Sequence, residues 1–326
     1  MSRIHEALKK AEQERAASQS DRKFEEPVKP LGSGQAVKIA IQEEKVPAPS
    51  VLPDSKTPAD SKDLQLDELR AKCHKTVWNP DPNFMLFSSS QAFPVGAEQF
   101  RTLRSRLYRI RESKPLSTLL ISSATPAEGK TFVSANLAQV LVRQRGCRVL
   151  LIDADMRAPK LHKLLGVPLG PGLAEYLQGG RSELEVIQKG REDEFYFVQA
   201  GQHLTHPSEL ISNGRFKQLL ARVSGLFDWI IVDSPPILPV SDAAVLATMC
   251  HGVLFVVRAG STPAAVSQKA CRELQDANIV GVVLNSVERS AGSGSYYQYT
   301  GYGLGQSSSS IGNPHHREIL RVANGN

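Results

Sequence analysis

Residues 116–141 read LSTLLISSATPAEGKTFVSANLAQVL. An apolar run, Leu116–Ile121, passes straight into a loop of small residues, Ser122–Thr131, after which Phe132, Val133, Leu137, Val140 and Leu141 recur at helical spacing. A strand, a small-residue loop ending in Gly-Lys-Thr and a helix form the context in which backbone cradles phosphate, because loop N–H groups and a helix N-terminus concentrate positive potential there. In that setting Gly129 lets the backbone approach closely, Lys130 reaches the β- and γ-phosphates as a point charge, and the Thr131 hydroxyl ligates Mg²⁺. Ala124 stands where such loops usually begin with glycine. If it must adopt a positive φ, its methyl group costs about 1 kcal/mol or more.

Outward from this loop the text alternates. Apolar runs at Arg148–Ile152, Phe195–Gln199, Trp229–Val232, Val253–Val257 and Ile279–Leu284 are mostly continuous, as expected of strands covered on both faces. Between them lie helical patterns, among them one opened by Thr262-Pro263 with Val266, Ala270 and Leu274 as its inward stripe. Upstream, Phe100, Leu103, Leu107 and Ile110 mark a helix whose other faces carry Arg101, Arg104, Arg106, Arg109 and Arg111. Strand–helix alternation of this length predicts an α/β fold: a doubly wound, mostly parallel sheet flanked by helices.

Two of these strands end in carboxylates. Val149–Ile152 leads into Asp153-Ala154-Asp155-Met156-Arg157, just past the carboxyl end of a buried strand, where α/β sheets bind ligands. An acidic pair is also common at a solvated strand end, so alone it carries little. Ile230-Ile231-Val232-Asp233 is followed by Ser234-Pro235-Pro236, an apolar strand terminating in an aspartate of Walker-B type, with two prolines stiffening the next loop. The order of the three segments gives each its weight.

Composition sets the bounds. The 326 residues are 41% hydrophobic and 22% charged, which suits one large α/β domain with tails and excludes collagen-like, coiled-coil and wholly disordered classes. Cys73, Cys147, Cys250 and Cys271 lie far apart, with no CxxC pair, arguing for a reducing compartment and against structural zinc. No apolar window reaches the ~18–20 residues of a membrane span. The start, MSRIHEALKKAEQER, lacks the apolar core of a signal peptide, so a cytoplasmic location is expected. Residues 1–88 balance 14 Lys and Arg against 14 Asp and Glu, so the net charge of +6 belongs to the remainder. Its basic residues concentrate between Arg101 and Lys114, a short patch that suits an acidic partner surface or anionic lipid as well as anything; no nucleic acid is expected.

Four segments follow. Residues 1–17 place Ile4, Ala7, Leu8 and Ala11 at helical spacing, either an amphipathic docking helix or a frayed start. Residues 18–92, proline-rich and without a sustained period, are expected to be a flexible linker, with a further helical turn or two over Leu64–Cys73. Residues 93–288 are the globular domain. Residues 289–326 are expected to be a flexible tail, in which Tyr296, Tyr297, Tyr299 and Tyr302 supply four of the chain's seven tyrosines among glycine and serine. Such a cluster has no core to join, and is otherwise a sticky low-complexity segment.

Taken together, Ala124–Thr131, Leu150–Arg157 and Ile230–Pro236 resemble the Walker A, Asp-x-Asp-x-Arg and Walker B motifs of the bacterial tyrosine kinases of capsule and exopolysaccharide biosynthesis, in their form with a separate cytoplasmic catalytic chain. The resemblance covers roughly residues 93–302. Glu98-x-x-Arg101-x-x-Arg104 is similar to that family's oligomer-forming helix. Pro207-Ser208-Glu209-Leu210 is similar to its Asn-Pro-x-Glu-Leu segment, with His206 where Asn is usual, and Gly281–Asn285 to its late strand, whose asparagine lies near the base. The resemblance implies a non-specific protein-tyrosine kinase with ATP and Mg²⁺ as cofactors. It implies ATP contacts from Ala127, Glu128, Gly129, Lys130, Thr131, Phe132 and Asn285, and metal contacts from Thr131, Asp153 and Asp233. Lys130, Asp153, Asp155 and Asp233 would be catalytic, Asp153 accepting the tyrosine proton, since a phenol of pKa near ~10 is a poor nucleophile unaided. Asp155, with Arg157, would act mainly as loop or subunit support.

The tail tyrosines would then be autophosphorylation sites reached in a neighbouring subunit of a ring. Their added charge, about −1.5 to −2 each, would loosen that ring. Implied partners are a separate membrane-embedded polysaccharide co-polymerase-type activator, which would hold the chain at the inner face of the membrane, and a tyrosine phosphatase. Two other readings share the motifs. An ATPase switch of septum-positioning or chromosome-partitioning type normally has an extra lysine early in the loop, where this chain has Thr125, and leaves the tyrosines without purpose. A pseudokinase adaptor would bind nucleotide weakly because of Ala124 and Ala127.

Overall fold

The computed structural model describes residues 64–87, 96–190, 194–202, 204, 207–287 and the backbone of 321–322. The amphipathic start and the four tail tyrosines lie outside these. Among the described residues nine strands form one sheet: β1 (His74–Lys75), β2 (Thr118–Ser123), β3 (Val149–Asp153), β4 (Ile187–Lys189), β5 (Phe195–Val198), β6 (Trp229–Asp233), β7 (Gly252–Arg258), β8 (Ile279–Asn285) and β9 (Arg321–Val322). Their spatial order is β1-β4-β5-β3-β6-β2-β7-β8-β9. Every pairing is parallel except β4 with β5 and β8 with β9.

The continuous apolar runs are explained by two cores. Because side chains alternate across a strand, Leu119, Ile121, Leu151 and Ile231 face one layer while Leu120, Leu150, Ile230 and Val232 face the other. The first layer is covered by α2 (Ala97–Ser113), α3 (Lys130–Val142) and α4 (Leu161–Leu165). The second is covered by α1 (Leu66–Lys72), α5 (Leu173–Leu177), α6 (Glu183–Val186), α7 (Pro207–Ser212), α8 (Arg215–Val223), α9 (Asp242–Met249) and α10 (Ala264–Glu273). In the sheet β2 lies between β6 and β7. The chain leaves β2 for β3 on one side and later returns to β7 on the other, so the carboxyl end of β2 is the switch point where such sheets bind ligands.

Two sequence expectations about boundaries are corrected. The predicted flexible linker does not extend through 64–87, which folds onto the domain. Leu69 on α1 and Met85 are fully buried, the helix foreseen near Leu64–Cys73 is present, and β1 adds to the sheet edge. Trp78 meets Phe195 edge-on at 5.1 Å, and Phe87 meets Phe100 at 6.4 Å. Asn136 of α3 secures the end of this strap, donating to the Phe84 carbonyl at 2.8 Å and accepting from the Leu86 N–H at 2.8 Å. Few but large anchors, set among prolines and charges, give no period to read. The tail expectation is also corrected at one point, since the backbone of Arg321–Val322 pairs antiparallel with β8.

Candidate active site

The phosphate loop follows β2 and ends at Gly129, whose φ of 93° immediately precedes α3. The cost expected at Ala124 is not incurred there: Ala124 is fully buried, and the positive-φ residue of the loop other than glycine is Ala127, at 66°. The loop is braced from behind. Glu128, almost completely buried, accepts the Thr125 N–H at 2.7 Å and the Thr262 hydroxyl at 2.5 Å. Thr262 therefore ties the loop to the β7–α10 connection, and Pro263 takes the N-cap position of α10. Asn285, last residue of β8, donates to the Glu128 carbonyl at 2.8 Å. A Cβ at Gly129 would lie 1.9 Å from Asn285 Nδ2, so only glycine admits this contact. Arg258 donates to the Ala127 carbonyl at 3.3 Å.

The carboxylates converge because β3 and β6 are parallel neighbours in which Asp153 pairs with Asp233. Both are buried at the carboxyl ends of their strands. Asp153 accepts the Asp155 N–H and the Leu161 N–H, each at 3.2 Å. Burial, with Asp233 beside it, pushes its carboxyl well above the usual range. Asp233 accepts the Ser134 hydroxyl at 2.8 Å through Oδ1. Burial raises its pKa to about 6, although Lys130 opposes the shift. Lys130 Nζ lies 3.0 Å from Asp155 Oδ2, both side chains being largely enclosed. Burial acts against the lysine's charge, but Asp233, Asp155 and Asp153 together outweigh it and raise its pKa.

Asp233 Oδ2 and Asn285 Oδ1 are among the buried side-chain oxygens without a hydrogen-bond partner in the described residues. Such atoms are costly unless a ligand completes them. A hard-oxygen set of Thr131, Asp153 and Asp233 beside a positively polarised loop suits Mg²⁺ held jointly with phosphates, a mode that needs only one or two protein carboxylates. Among the described residues no cluster of three or more His, Cys, Asp or Glu could hold a metal ion by itself. The residues therefore fit magnesium nucleotide.

The other expected residues are placed separately. Glu98 and Arg101 pair at 2.9 Å within α2, on its exposed side, while Arg104 donates to the Val140 carbonyl at the end of α3. The aromatic ring of Phe87 lies under both Arg101 and Arg143. Phe132 sits in the first turn of α3, half-buried and 5.9 Å from the Phe100 ring, so it serves the core as well as the loop. Sequence reasoning missed Thr262, Arg258 and Asp242. Thr262 reads as an ordinary helix start, no motif marks Arg258 or Asp242, and only the sheet brings them to the site.

Comparison with known proteins gives the same picture. The pattern of the CobQ/CobB/MinD/ParA nucleotide binding domain matches residues 119–300. The chain is 36% identical over 208 residues to the putative tyrosine-protein kinase EpsB of Ralstonia nicotianae, which is 63% of this chain and 27% of that protein. It is 32% identical over 193 residues to the tyrosine-protein kinase YwqD of Bacillus subtilis, covering 59% of this chain and 81% of YwqD. The kinase domain of the Escherichia coli tyrosine kinase ETK superposes with a TM-score of 0.57 at 37% identity, over 64% of this chain and 80% of that one. The chain thus spans about a quarter of the length of the first relatives it matches and most of the length of YwqD.

Proposed function

Because this chain belongs to the bacterial tyrosine-protein kinases, built on the CobQ/CobB/MinD/ParA nucleotide-binding domain, we propose that it is an ATP- and Mg²⁺-dependent autokinase that phosphorylates its own C-terminal tyrosines. The observation that supports this most is the meeting of Lys130 with Asp153, Asp155 and Asp233 at the switch point. When bound, magnesium nucleotide supplies the transferable phosphoryl group and charge to neutralise it. Lys130 exchanges Asp155 for the phosphates. The N–H groups around Gly129 and the start of α3 hold the phosphate oxygens. Thr131, Asp153 and Asp233 would hold the metal, and Asn285, whose Oδ1 has no partner, would contact the nucleotide. Asp153 takes the proton of the acceptor hydroxyl.

The acceptors are Tyr296, Tyr297, Tyr299 and Tyr302, presented to a neighbouring copy in a ring assembled through Glu98, Arg101 and Arg104. Phosphorylation of the tail would loosen that ring and regulate exopolysaccharide or capsule export. The exposed side of α2 supports such assembly, since Glu98 and Arg101 are accessible there. A membrane-embedded activator would hold the chain at the inner membrane face, and a tyrosine phosphatase would reset it. No helix among the described residues is long and apolar enough to cross a membrane.

The test is purified chain with ATP and Mg²⁺, read by phosphotyrosine detection and mass spectrometry. Label is expected on the tyrosine cluster, and its loss in Lys130→Met and in the variant with all four tyrosines changed to Phe. ATP-driven dimerisation without phosphotyrosine would replace this reading by an ATPase switch.

A further inference from the structure

The Asp153–Arg157 loop carries Asp155 against Lys130 and follows Asp153, which lies beside Asp233. Its far end is gripped by a buried acid. Arg157 Nε donates to Asp242 Oδ2 at 2.8 Å, and Arg157 Nη2 donates to Asp242 Oδ1 at 3.1 Å. This forked pairing fixes direction as well as distance. Ser208 on α7 completes the group: it accepts from Arg157 Nη2 at 3.0 Å, and its hydroxyl donates to Asp242 Oδ1. Asp242 has a side-chain exposure of 1%, against 37% for Arg157. Burial would raise its pKa, but Arg157 and Ser208 outweigh that and hold its carboxyl below the usual range, so the grip is ionic at neutral pH.

The sequence position of each member gives the grip its meaning. Asp242 opens α9, which follows the loop after Asp233. Arg157 is two residues beyond Asp155, and Asp155 also accepts the Ala158 N–H at 3.1 Å. Ser208 belongs to the segment after β5. Three loops from neighbouring strands β5, β3 and β6 are therefore joined at one carboxylate. The phosphate loop is braced by a different set, Glu128 with Thr262 and Asn285, and no residue is shared.

We propose that Asp242 is a positioning residue for phosphoryl transfer: through Arg157 and Ser208 it fixes the loop bearing Asp153 and Asp155, and so sets the rate of the chemical step and not the affinity for metal-free nucleotide. This rests on the kinase reading above. A displacement of about 1 Å at catalytic groups costs on the order of 100-fold in rate, whereas metal-free nucleotide rests on the separately braced loop, to which this one contributes only the competing Asp155 carboxylate.

The experiment compares full-length wild type, Asp242→Asn, Arg157→Lys, Ser208→Ala and Glu128→Gln. It measures single-turnover autophosphorylation, the affinity for a fluorescent ADP in chelator, and thermal denaturation. Asp242→Asn should slow transfer about 10- to 100-fold while metal-free ADP binds no more weakly than it does to wild type. Arg157→Lys, which keeps the charge and loses the fork, should fall between it and wild type. Glu128→Gln should show the opposite split, weakened ADP binding with a smaller change in the single-turnover rate at saturating nucleotide. Because Arg157 is partly exposed, Arg157→Lys still folds and reports on the grip if Asp242→Asn does not. The double variant Arg157→Lys with Asp242→Asn should be no slower than Asp242→Asn alone. Equal rates in wild type, Asp242→Asn and Arg157→Lys would overturn the proposal, as would rate and affinity falling in parallel. Absence of label on wild type would remove the kinase reading and this role together, whereas normal wild-type label with undiminished variants would remove this role alone.

Discussion

Lys130 Nζ is 3.0 Å from Asp155 Oδ2, an enclosed ion pair that joins the phosphate loop to the loop after β3. A phosphate entering this site has to take the place of the Asp155 carboxylate at the lysine. The pair keeps a buried cation satisfied in the meantime, with Asp153 and Asp233 adding to its stabilisation. Asp155→Asn removes the competing charge, while Asp153 and Asp233 still hold the lysine protonated. Metal-free ADP should therefore bind about tenfold tighter, roughly 1.4 kcal/mol, as titration in chelator would show. Lys130→Met should abolish that binding.

The nucleotide-free protein should also show an unusual dependence on pH. Asp233, raised to about 6 from an ordinary 3.8, binds a proton more readily in the folded chain than in the unfolded one, and Asp153 shifts in the same direction. Between those values the folded state holds more protons, so these groups favour folding as pH falls towards 4 and lose that contribution as it rises through 6. His162, lowered by burial, acts oppositely below its ordinary 6.5. Thermal melts of wild type and Asp233→Asn from pH 7.5 to 5 separate the two. The gap between them, with the variant more stable at pH 7.5, should narrow on acidification, and a constant gap would refute the assignment.

Within the phosphate loop, two one-methyl changes should have opposite effects. Ala127, at a φ of 66°, carries a strain that glycine would not, so Ala127→Gly should raise stability by roughly 1 kcal/mol. Gly129→Ala meets both a φ of 93° and the Asn285 amide, and should remove nucleotide binding. Chemical denaturation and ADP titration of the two variants check this.

The strap over 64–87 should behave as part of the domain. Met85 is fully enclosed beside Phe100 and α3, so Met85→Ala should cost about 2–4 kcal/mol in denaturant unfolding. Shortening the chain to begin at residue 93 should expose the surfaces under Trp78, Met85 and Phe87 and lower the melting temperature further. An unchanged melting temperature in both would mean that the strap is a passenger.

Most of the sheet is legible in the sequence, because a strand covered on both faces must be apolar along its whole length, and Leu119–Ile121, Trp229–Val232 and Val253–Val257 are. The short pieces were not. Residues 74–75 and 187–189 occupy one edge of the sheet, where pairing is decided by neighbouring backbone rather than side-chain pattern. The strap escaped for a related reason: its anchors Trp78, Met85 and Phe87 are isolated, and each is informative only once the groove it fills exists.

The amino-acid order alone specified a phosphate-binding loop between a strand and a helix, two strands ending in aspartate, and a doubly wound α/β fold around them, because these are local consequences of burial period and loop chemistry. Folding in three dimensions decided the rest. It set Asp153 beside Asp233 through parallel register, gave Lys130 to Asp155, moved the strained φ from Ala124 to Ala127, and brought Asp242, 85 positions away, onto Arg157. These are contacts between distant segments, and their geometry is fixed by how the sheet twists its loops together, which no window of sequence contains.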